Sequence, residues 1–154
     1  MKSMEISVDS FHRGEPIPRE YSRNGGNVSP EVSWQNVPEG AKSIALVLDD
    51  PDANHFTHWV IFNVPPDKGG LPRDVPKQQR LADGSKQGLN SDRTFGYSGP
   101  HPPPGRPHHY YFRVYALDAL LDLTGSENRS IIEKAMEGHV LAQGEVMGTF
   151  GQGR

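Results

Sequence analysis

The chain has 154 residues, 34% of them hydrophobic, with a formal net charge of −3 and no cysteine. This length predicts a single domain, residues 1–154, with a buried core, and the charge balance excludes the basic footprint of a nucleic-acid-binding protein. Without cysteine, disulfides, thiolate metal sites and cysteine nucleophiles are excluded. Because the N-terminal residues lack the apolar core of a signal peptide and no run reaches the roughly 18 apolar residues of a membrane span, we expect a cytoplasmic protein.

Strand signals dominate the chain from its N-terminus onwards. Apolar and polar residues alternate in residues 4–9 and 31–34, which is typical of half-buried strands. Residues 43–48 and 59–64 are nearly continuous apolar runs, and they predict two central strands. Two further strands are predicted at residues 110–117 and, more weakly, at residues 145–150.

Residues 67–98 are mostly polar and are interrupted by glycine and proline. Since a loop of this length is unusual in a compact domain, we interpret it as a surface excursion that includes one short strand. The only helix is predicted near residues 130–137, where Ile131, Ile132, Ala135 and Met136 form an apolar stripe and Gly138 follows as a stop signal.

Five of the seven histidines lie in two proline-rich segments, residues 49–59 and 99–110. Asp50 and Asp52 follow a predicted central strand, where carboxylates either accept hydrogen bonds from a ligand or form an Asx-turn before proline. The imidazole of His58 either donates to an anion or is satisfied by a backbone carbonyl. Both alternatives stay open at this stage.

The second segment offers complementary groups. His108 and Tyr110 lie on one face of a strand because side chains repeat with a period of two, whereas His109 points the other way. Gly99 offers a backbone amide that a ligand can approach closely, and the prolines after it stiffen the loop. The pattern predicts a small site for a polar or anionic ligand.

Two further interpretations, a metal site and a serine hydrolase, have less support in the sequence than an anion site. His55 and His58 are three residues apart, so on a strand they face opposite sides, and the spacing is not that of a zinc protease. Ser98 lies near the histidines, but the nucleophile elbow of a hydrolase is missing. We therefore predict no metal, no cofactor and no catalytic residue, and we keep a hydrolase using His58 and Asp50 as the least favoured alternative.

Several motifs, in this order and spacing, resemble those of the phosphatidylethanolamine-binding proteins, the family that includes the Raf kinase inhibitory proteins, and most of all its short bacterial and archaeal branch. They cover nearly the whole chain: residues 14–18 (GEPIP), 27–34 (NVSPEVSW), 50–53 (DPDA), 58–65 (HWVIFNVP), 88–90 (GLN), 96–103 (GYSGPHPP), 108–117 (HHYYFRVYAL) and 138–145 (GHVLAQGE).

The resemblance implies a mostly antiparallel β sandwich of two sheets with Greek-key topology and one or two peripheral helices. It also implies a non-enzymatic pocket for phosphate-like anions or phosphorylated head groups. By motif position, the ligand-binding residues are Asp50, Asp52, His58, Gly99, Pro100, His108 and Tyr110, with His55, His101 and Pro102 at the rim.

The resemblance leaves the partner open. Family members have been linked to kinase regulation and to serine-protease inhibition, so the alternative is an inhibitor that acts through a rigid surface loop, independently of the pocket. A homodimer is also compatible with the short prokaryotic branch.

Four positions depart from the usual family pattern. The family often has cysteine where Arg23 and His101 stand, usually arginine at His109, and usually proline at Asn54. We expect these departures to alter ligand preference rather than the fold.

Overall fold

The structure is a computed structural model that describes residues 2–152. Within this range it contains nine strands, one α-helix and two short 3-10 turns, Arg19–Tyr21 and Pro51–Ala53. The strands are β1 (Lys2–Ser3), β2 (Glu5–Val8), β3 (Val32–Gln35), β4 (Ser43–Asp50), β5 (Phe56–Val64), β6 (Gly70–Leu71), β7 (Lys86–Gln87), β8 (His108–Leu117) and β9 (Val140–Phe150), and the helix is α1 (Arg129–Met136).

The strands form two sheets. The larger sheet has the order β1-β9-β8-β4-β5-β7, and the smaller has the order β2-β3-β6. Every pair of neighbouring strands is antiparallel except β1 and β9. The prediction of a mostly antiparallel fold of two sheets is confirmed.

Strand β4 is buried on both faces because other parts of the protein cover both sides of the larger sheet. Ile44, Leu46 and Leu48 pack into the core shared with the smaller sheet. Ala45 and Val47 pack on the other face, in the cluster that includes Ile132 and Met136 of α1. All eight residues of β4 are buried, which explains its continuous apolar run. Successive residues of β4 therefore point to two different environments.

The central strands are longer than predicted, and the difference bears on the site. Strand β4 continues two residues beyond Leu48, and β5 begins three residues before Trp59, because Asp49 and Asp50 pair with Thr57 and Phe56. Because both extensions contain mostly polar residues, the apolar runs that predicted these strands stop short of their true ends. Strand β9 likewise begins five residues earlier than predicted, since it pairs with β8 along its whole length.

Residues 67–98 contain two short strands rather than one. The buried side chain of Gln87 joins this excursion to the core, since its Oε1 accepts a hydrogen bond from Trp59 Nε1 at 2.8 Å. Gln87 Nε2 donates to the carbonyl oxygens of Pro76 and Gln78, each at 2.8 Å. One amide side chain thus joins residues 76–78 of the excursion to strand β5.

Helix α1 matches the prediction to within one residue at each end. The side chain of Asn128 caps its N-terminus by accepting a hydrogen bond from the Ile131 amide at 3.1 Å. Ile132 and Met136 are buried, but Ile131, predicted to belong to the apolar stripe, is 50% exposed. Gly138 has a φ of 81°, as expected of a residue that ends a helix. No helix of residues 2–152 is both long and apolar enough to span a membrane.

Candidate functional site

A β-bulge places His58. Leu48 pairs with Trp59 and Asp49 pairs with Thr57, which leaves His58 as an extra residue without a partner on β4. Its ring lies 4.7 Å from that of Phe56 and 5.2 Å, edge-on, from that of Tyr110 on β8, measured between centroids. The prediction put His58 just before the strand; in the structure the bulge holds it inside the strand and next to Tyr110.

Asp50, the last residue of β4, forms the turn considered for it and also contacts an imidazole. Its Oδ1 accepts a hydrogen bond from the Asp52 amide at 2.9 Å, which closes the turn at Pro51. Its Oδ2 lies 2.7 Å from His108 Nδ1. The carboxyl side chain is only 3% exposed, so the contact is shielded from water. Asp50 therefore orients the His108 imidazole from inside the protein.

His58 is oriented by a backbone carbonyl. Its Nδ1 donates to the Ser98 carbonyl oxygen at 2.8 Å, and the residue is 5% exposed. Burial lowers the pKa of His58 below its usual value, although the Ser98 carbonyl and the negative charges of Asp50 and Asp92 act in the opposite direction. The ring is therefore held in its neutral form near neutral pH.

The Tyr110 hydroxyl lies between these groups. It is completely buried and has no hydrogen-bond partner within residues 2–152. Burial, and then the charge of the nearby Asp50 carboxylate, raises its pKa, although the geometry falls short of a hydrogen bond between them. The Tyr110 ring also stacks with that of His108 at 6.4 Å. We call Asp50, His58, His108 and Tyr110 the imidazole site.

Asp52 and His109 lie outside the imidazole site. The Asp52 Oδ2 accepts hydrogen bonds from the His109 amide at 2.7 Å and from His109 Nδ1 at 2.8 Å, and the Asp52 side chain is 42% exposed. These bonds lower the pKa of Asp52. Asp52 was predicted to bind the ligand, but its carboxylate instead ties the turn after β4 to the start of β8. The prediction that His109 points away from His108 and Tyr110 is confirmed.

The expectation of an unobstructed amide at Gly99 is wrong. The Gly99 amide donates to the Asn27 side-chain oxygen at 2.7 Å, so it has no hydrogen left for a ligand. Glycine is required here for packing, because a Cβ atom would lie 2.3 Å from the Tyr21 carbonyl oxygen. The neighbouring Pro100 is buried, and its carbonyl accepts from the Arg23 amide at 2.9 Å. Contacts with Tyr21, Arg23 and Asn27 thus hold this loop in place.

The three rim residues lie in different surroundings. His55 is exposed and its Nδ1 lies 3.0 Å from Asp49, on the opposite face of the sheet from His58. His101 is exposed and contacts the Gln152 side chain at 3.0 Å, whereas Pro102 is buried. The prediction that His55 lies at the rim is therefore wrong, because the structure places it against Asp49 and away from the imidazole site.

Sequence reasoning missed a charged cluster behind the site. Asp49 is fully buried and accepts hydrogen bonds from Arg113 at 2.7 Å and from Arg129 at 2.6 Å. Burial by itself would raise the pKa of Asp49, but the bonds from Arg113, Arg129 and His55 outweigh it and lower the pKa. The period of two along β4 was the available signal, because it puts Asp49 and Asp50 on opposite faces.

A polar concavity of about 1070 Å³ lies on the Asp49 face. It is lined by His55 just before β5, Thr57 in β5, residues 89–91, Arg93, and residues of α1 and its two ends. Among residues 2–152, no group of three or more histidine, aspartate or glutamate side chains is arranged to hold a metal ion.

The fold and the site together define a two-sheet β protein in which the rings of His58 and His108 lie beside the buried side chain of Tyr110. The family model of the phosphatidylethanolamine-binding protein matches residues 7–151 of this chain. The chain therefore belongs to the phosphatidylethanolamine-binding protein family, as its motifs predicted.

Curated relatives and solved structures agree with this assignment. A UPF0098 protein of Methanothermobacter thermautotrophicus is 48% identical over 97% of this chain and 100% of its own length. The structure of CT736 from Chlamydia trachomatis, described as a putative phosphatidylethanolamine-binding protein homologue, has a TM-score of 0.89 at 33% identity and covers 99% of this chain and 100% of its own. E. coli YbcL, described as a new member of the mammalian PEBP family, has a TM-score of 0.90 at 28% identity and covers 98% of this chain and 99% of its own.

Proposed function

We propose that this protein is a non-enzymatic binding protein whose imidazole site holds a phosphate-like anion or a phosphorylated head group. The observation that carries the proposal is the buried Tyr110 hydroxyl without a partner among residues 2–152. A buried donor left unpaired costs about 1–3 kcal/mol, so such groups are usually satisfied by a ligand or an ordered water.

The donors for the anion come from Tyr110 and His108. The Asp50 carboxylate holds His108 by its Nδ1, which leaves the Nε2 edge of the ring to face the anion. Because the Gly99 amide is bonded to Asn27, it supports the loop and does not contact the anion. Asp50 can also accept a hydrogen bond from an ammonium group on the ligand.

The arrangement around Ser98 supports binding without turnover. The Ser98 hydroxyl donates to Asp92 at 2.6 Å, and His58 Nδ1 is bonded to the Ser98 carbonyl rather than to its hydroxyl. The Ser98 hydroxyl is therefore not activated by His58 Nδ1. An esterase and phosphatase screen, with and without added divalent metals, should show no turnover above a His58→Ala variant.

Titration calorimetry with O-phosphoethanolamine tests the binding proposal. We expect the wild type to bind and Tyr110→Phe and His108→Ala to lose at least about tenfold in affinity, because each removes a hydrogen bond to a charged group. Tyr111→Phe is the matched control, since Tyr111 lies on the other face of β8, where Arg113 stacks on it at 4.8 Å. Absence of binding by the wild type, or equal affinities for all four proteins, would contradict the proposal.

The proline-rich loop supports a second candidate function, inhibition of a kinase or a serine protease by a rigid surface segment. Residues 103–107 are exposed, while the preceding Pro102 is buried and anchors them. An inhibition assay against a kinase and protease panel should then show a loss on replacement of residues 103–107 by a glycine-serine segment. Asp50→Asn should leave this inhibition unchanged. We also propose a cytoplasmic location and a homodimer.

A further inference from the structure

The polar concavity on the Asp49 face takes no part in the proposed function, and it lies on the other side of the larger sheet from the imidazole site. Its volume of about 1070 Å³ is just above the usual range of small-molecule sites, about 300–1,000 Å³. Leu89 is the single apolar residue among the described residues that line it. Because most small-molecule sites are predominantly apolar, this lining favours a hydrophilic ligand. We call it the helix-side concavity.

Hydrogen bonds between its segments hold the helix-side concavity in shape. The Leu89 amide donates to the Glu127 carbonyl oxygen at 2.9 Å, which joins the loop after β7 to the residues before α1. The same loop is joined to β5, because the Thr57 amide donates to Ser91 Oγ and the Ser91 amide donates to the Thr57 carbonyl oxygen, each at 2.8 Å. A site that is formed in advance loses little entropy when a ligand binds.

Arg129 is fixed in the wall of the concavity. Its Nη1 donates to the buried Asp49 at 2.6 Å and its Nε donates to Glu133 at 3.0 Å, and the side chain is 17% exposed. A guanidinium has five N–H donors, so these two bonds leave others for an anion. Arg93 and Lys134 add two exposed cations, and neither takes part in the ion pairs formed among residues 2–152.

The backbone is strained at two residues that line the concavity. His55 and Arg93 have φ values of 58° and 64°. Every other residue between 2 and 152 with a positive φ is glycine, asparagine or aspartate, the types that enter the left-handed region routinely. Strain of this kind is concentrated at functional sites, where the surrounding structure holds a residue in the orientation that binding needs. The two strained residues therefore support a functional role for the concavity.

We infer that the helix-side concavity is a second binding site, for a hydrophilic ligand that combines one phosphate group with several hydroxyls, as a sugar phosphate does. Arg93, Arg129 and Lys134 donate to the phosphate, and three cations match its two negative charges better than the single charge of a carboxylate. Glu133 and Glu137 accept hydrogen bonds from the hydroxyls. These two carboxylates repel a ligand that carries several anionic groups.

An NMR titration of the full chain tests the inference, because backbone amide signals report on the two sites separately. The probe is glucose 6-phosphate, and glucose and inorganic phosphate are the matched ligands. We expect glucose 6-phosphate to shift the signals of residues 89–93 and 129–137. It should bind there at least about tenfold more tightly than either matched ligand, since each of them lacks one of the two kinds of contact.

The outcomes separate this site from the proposed function. If inorganic phosphate shifts the same signals with equal affinity, the hydroxyl contacts are missing and the inferred class of ligand is wrong. If glucose 6-phosphate shifts only the signals of the imidazole site, the second site is wrong while the proposed function is supported. If it shifts no signal of residues 89–93 or 129–137, the inference is likewise overturned, and the calorimetry with O-phosphoethanolamine still decides the proposed function.

Variants test the assignment to the two exposed cations. Arg93→Gln and Lys134→Gln should each weaken the binding of glucose 6-phosphate at the helix-side concavity by about tenfold, because each removes a hydrogen bond between charged groups. Arg80→Gln is the matched control, since Arg80 is an exposed arginine outside the concavity. His108→Ala should leave this affinity unchanged. Wild-type affinity in both Arg93→Gln and Lys134→Gln, with the dispersed amide signals of a folded protein, would overturn the site.

Discussion

Asp49 and Asp50 are adjacent in sequence, and both are buried, yet they occupy opposite kinds of environment. Asp49 faces α1 and contacts Arg113, Arg129 and His55. Asp50 faces the core between the sheets and contacts one imidazole, that of His108, beside the unpaired Tyr110 hydroxyl. The comparison teaches that the charge of one carboxylate is neutralised by cations, whereas the other lies beside an unpaired hydroxyl, the group that the proposed function assigns to a ligand.

The largest effect is expected at the neutralised carboxylate. Asp49→Asn leaves the cationic Arg113 and Arg129 without their shared partner, so the free energy of unfolding should fall by about 3–5 kcal/mol. Urea denaturation of the variant and the wild type measures this difference. Asp118→Asn is the control, because Asp118 is an exposed partner of His139. A loss below about 1 kcal/mol, the range of surface ion pairs, would show that the cluster is not an important source of stability.

Asp50→Asn should show the reverse balance between stability and binding. The amide can still accept the bond from the Asp52 backbone, so we expect a loss of only about 1 kcal/mol in the free energy of unfolding. The carboxylate that orients the His108 ring is gone, so the affinity for O-phosphoethanolamine should fall by about tenfold or more. Calorimetry and urea denaturation on the same sample check both values. A variant that unfolds readily but binds normally would invalidate the contrast between the two carboxylates.

The smallest effect is a pH dependence that arises from His58. Because its pKa is lowered in the folded protein, the unfolded chain binds more protons once the pH falls below about 6.5, the value of a free histidine. The stabilising contribution of neutral His58 is thus complete above pH 6.5 and is lost as the pH falls through the folded pKa, at a slope of up to about 1.4 kcal/mol per pH unit. Thermal unfolding between pH 5 and 7.5 measures it, and His58→Asn should flatten this part of the profile. An unchanged slope in the variant would assign the dependence to other groups.

Part of the site could be predicted because local patterns point to it directly. The period of two along β8 puts His108 and Tyr110 on one face, and the motifs at residues 50–58 and 99–110 select segments that the structure brings together. The contacts between the segments could not be predicted in detail. Nothing near Gly99 in the sequence indicates that Asn27, 72 positions earlier, occupies its amide.

The β-bulge at His58 shows the same limit. Strict alternation from Trp59 backwards would put His58 on the face opposite to Trp59, but one extra residue in β5 brings it to Tyr110. The signal for this bulge lies in the register between β4 and β5. Register is a property of two paired strands and is not visible in either strand alone.

The sequence by itself determined the strands of the core, the helix and the family, because hydrophobic periodicity and motif spacing are local properties of the chain. Only the tertiary structure decided which polar atoms remain available to a ligand. The Gly99 amide and the His58 ring each donate to a partner that folding brings from a distant segment, and those partners decide which of their atoms remain unpaired.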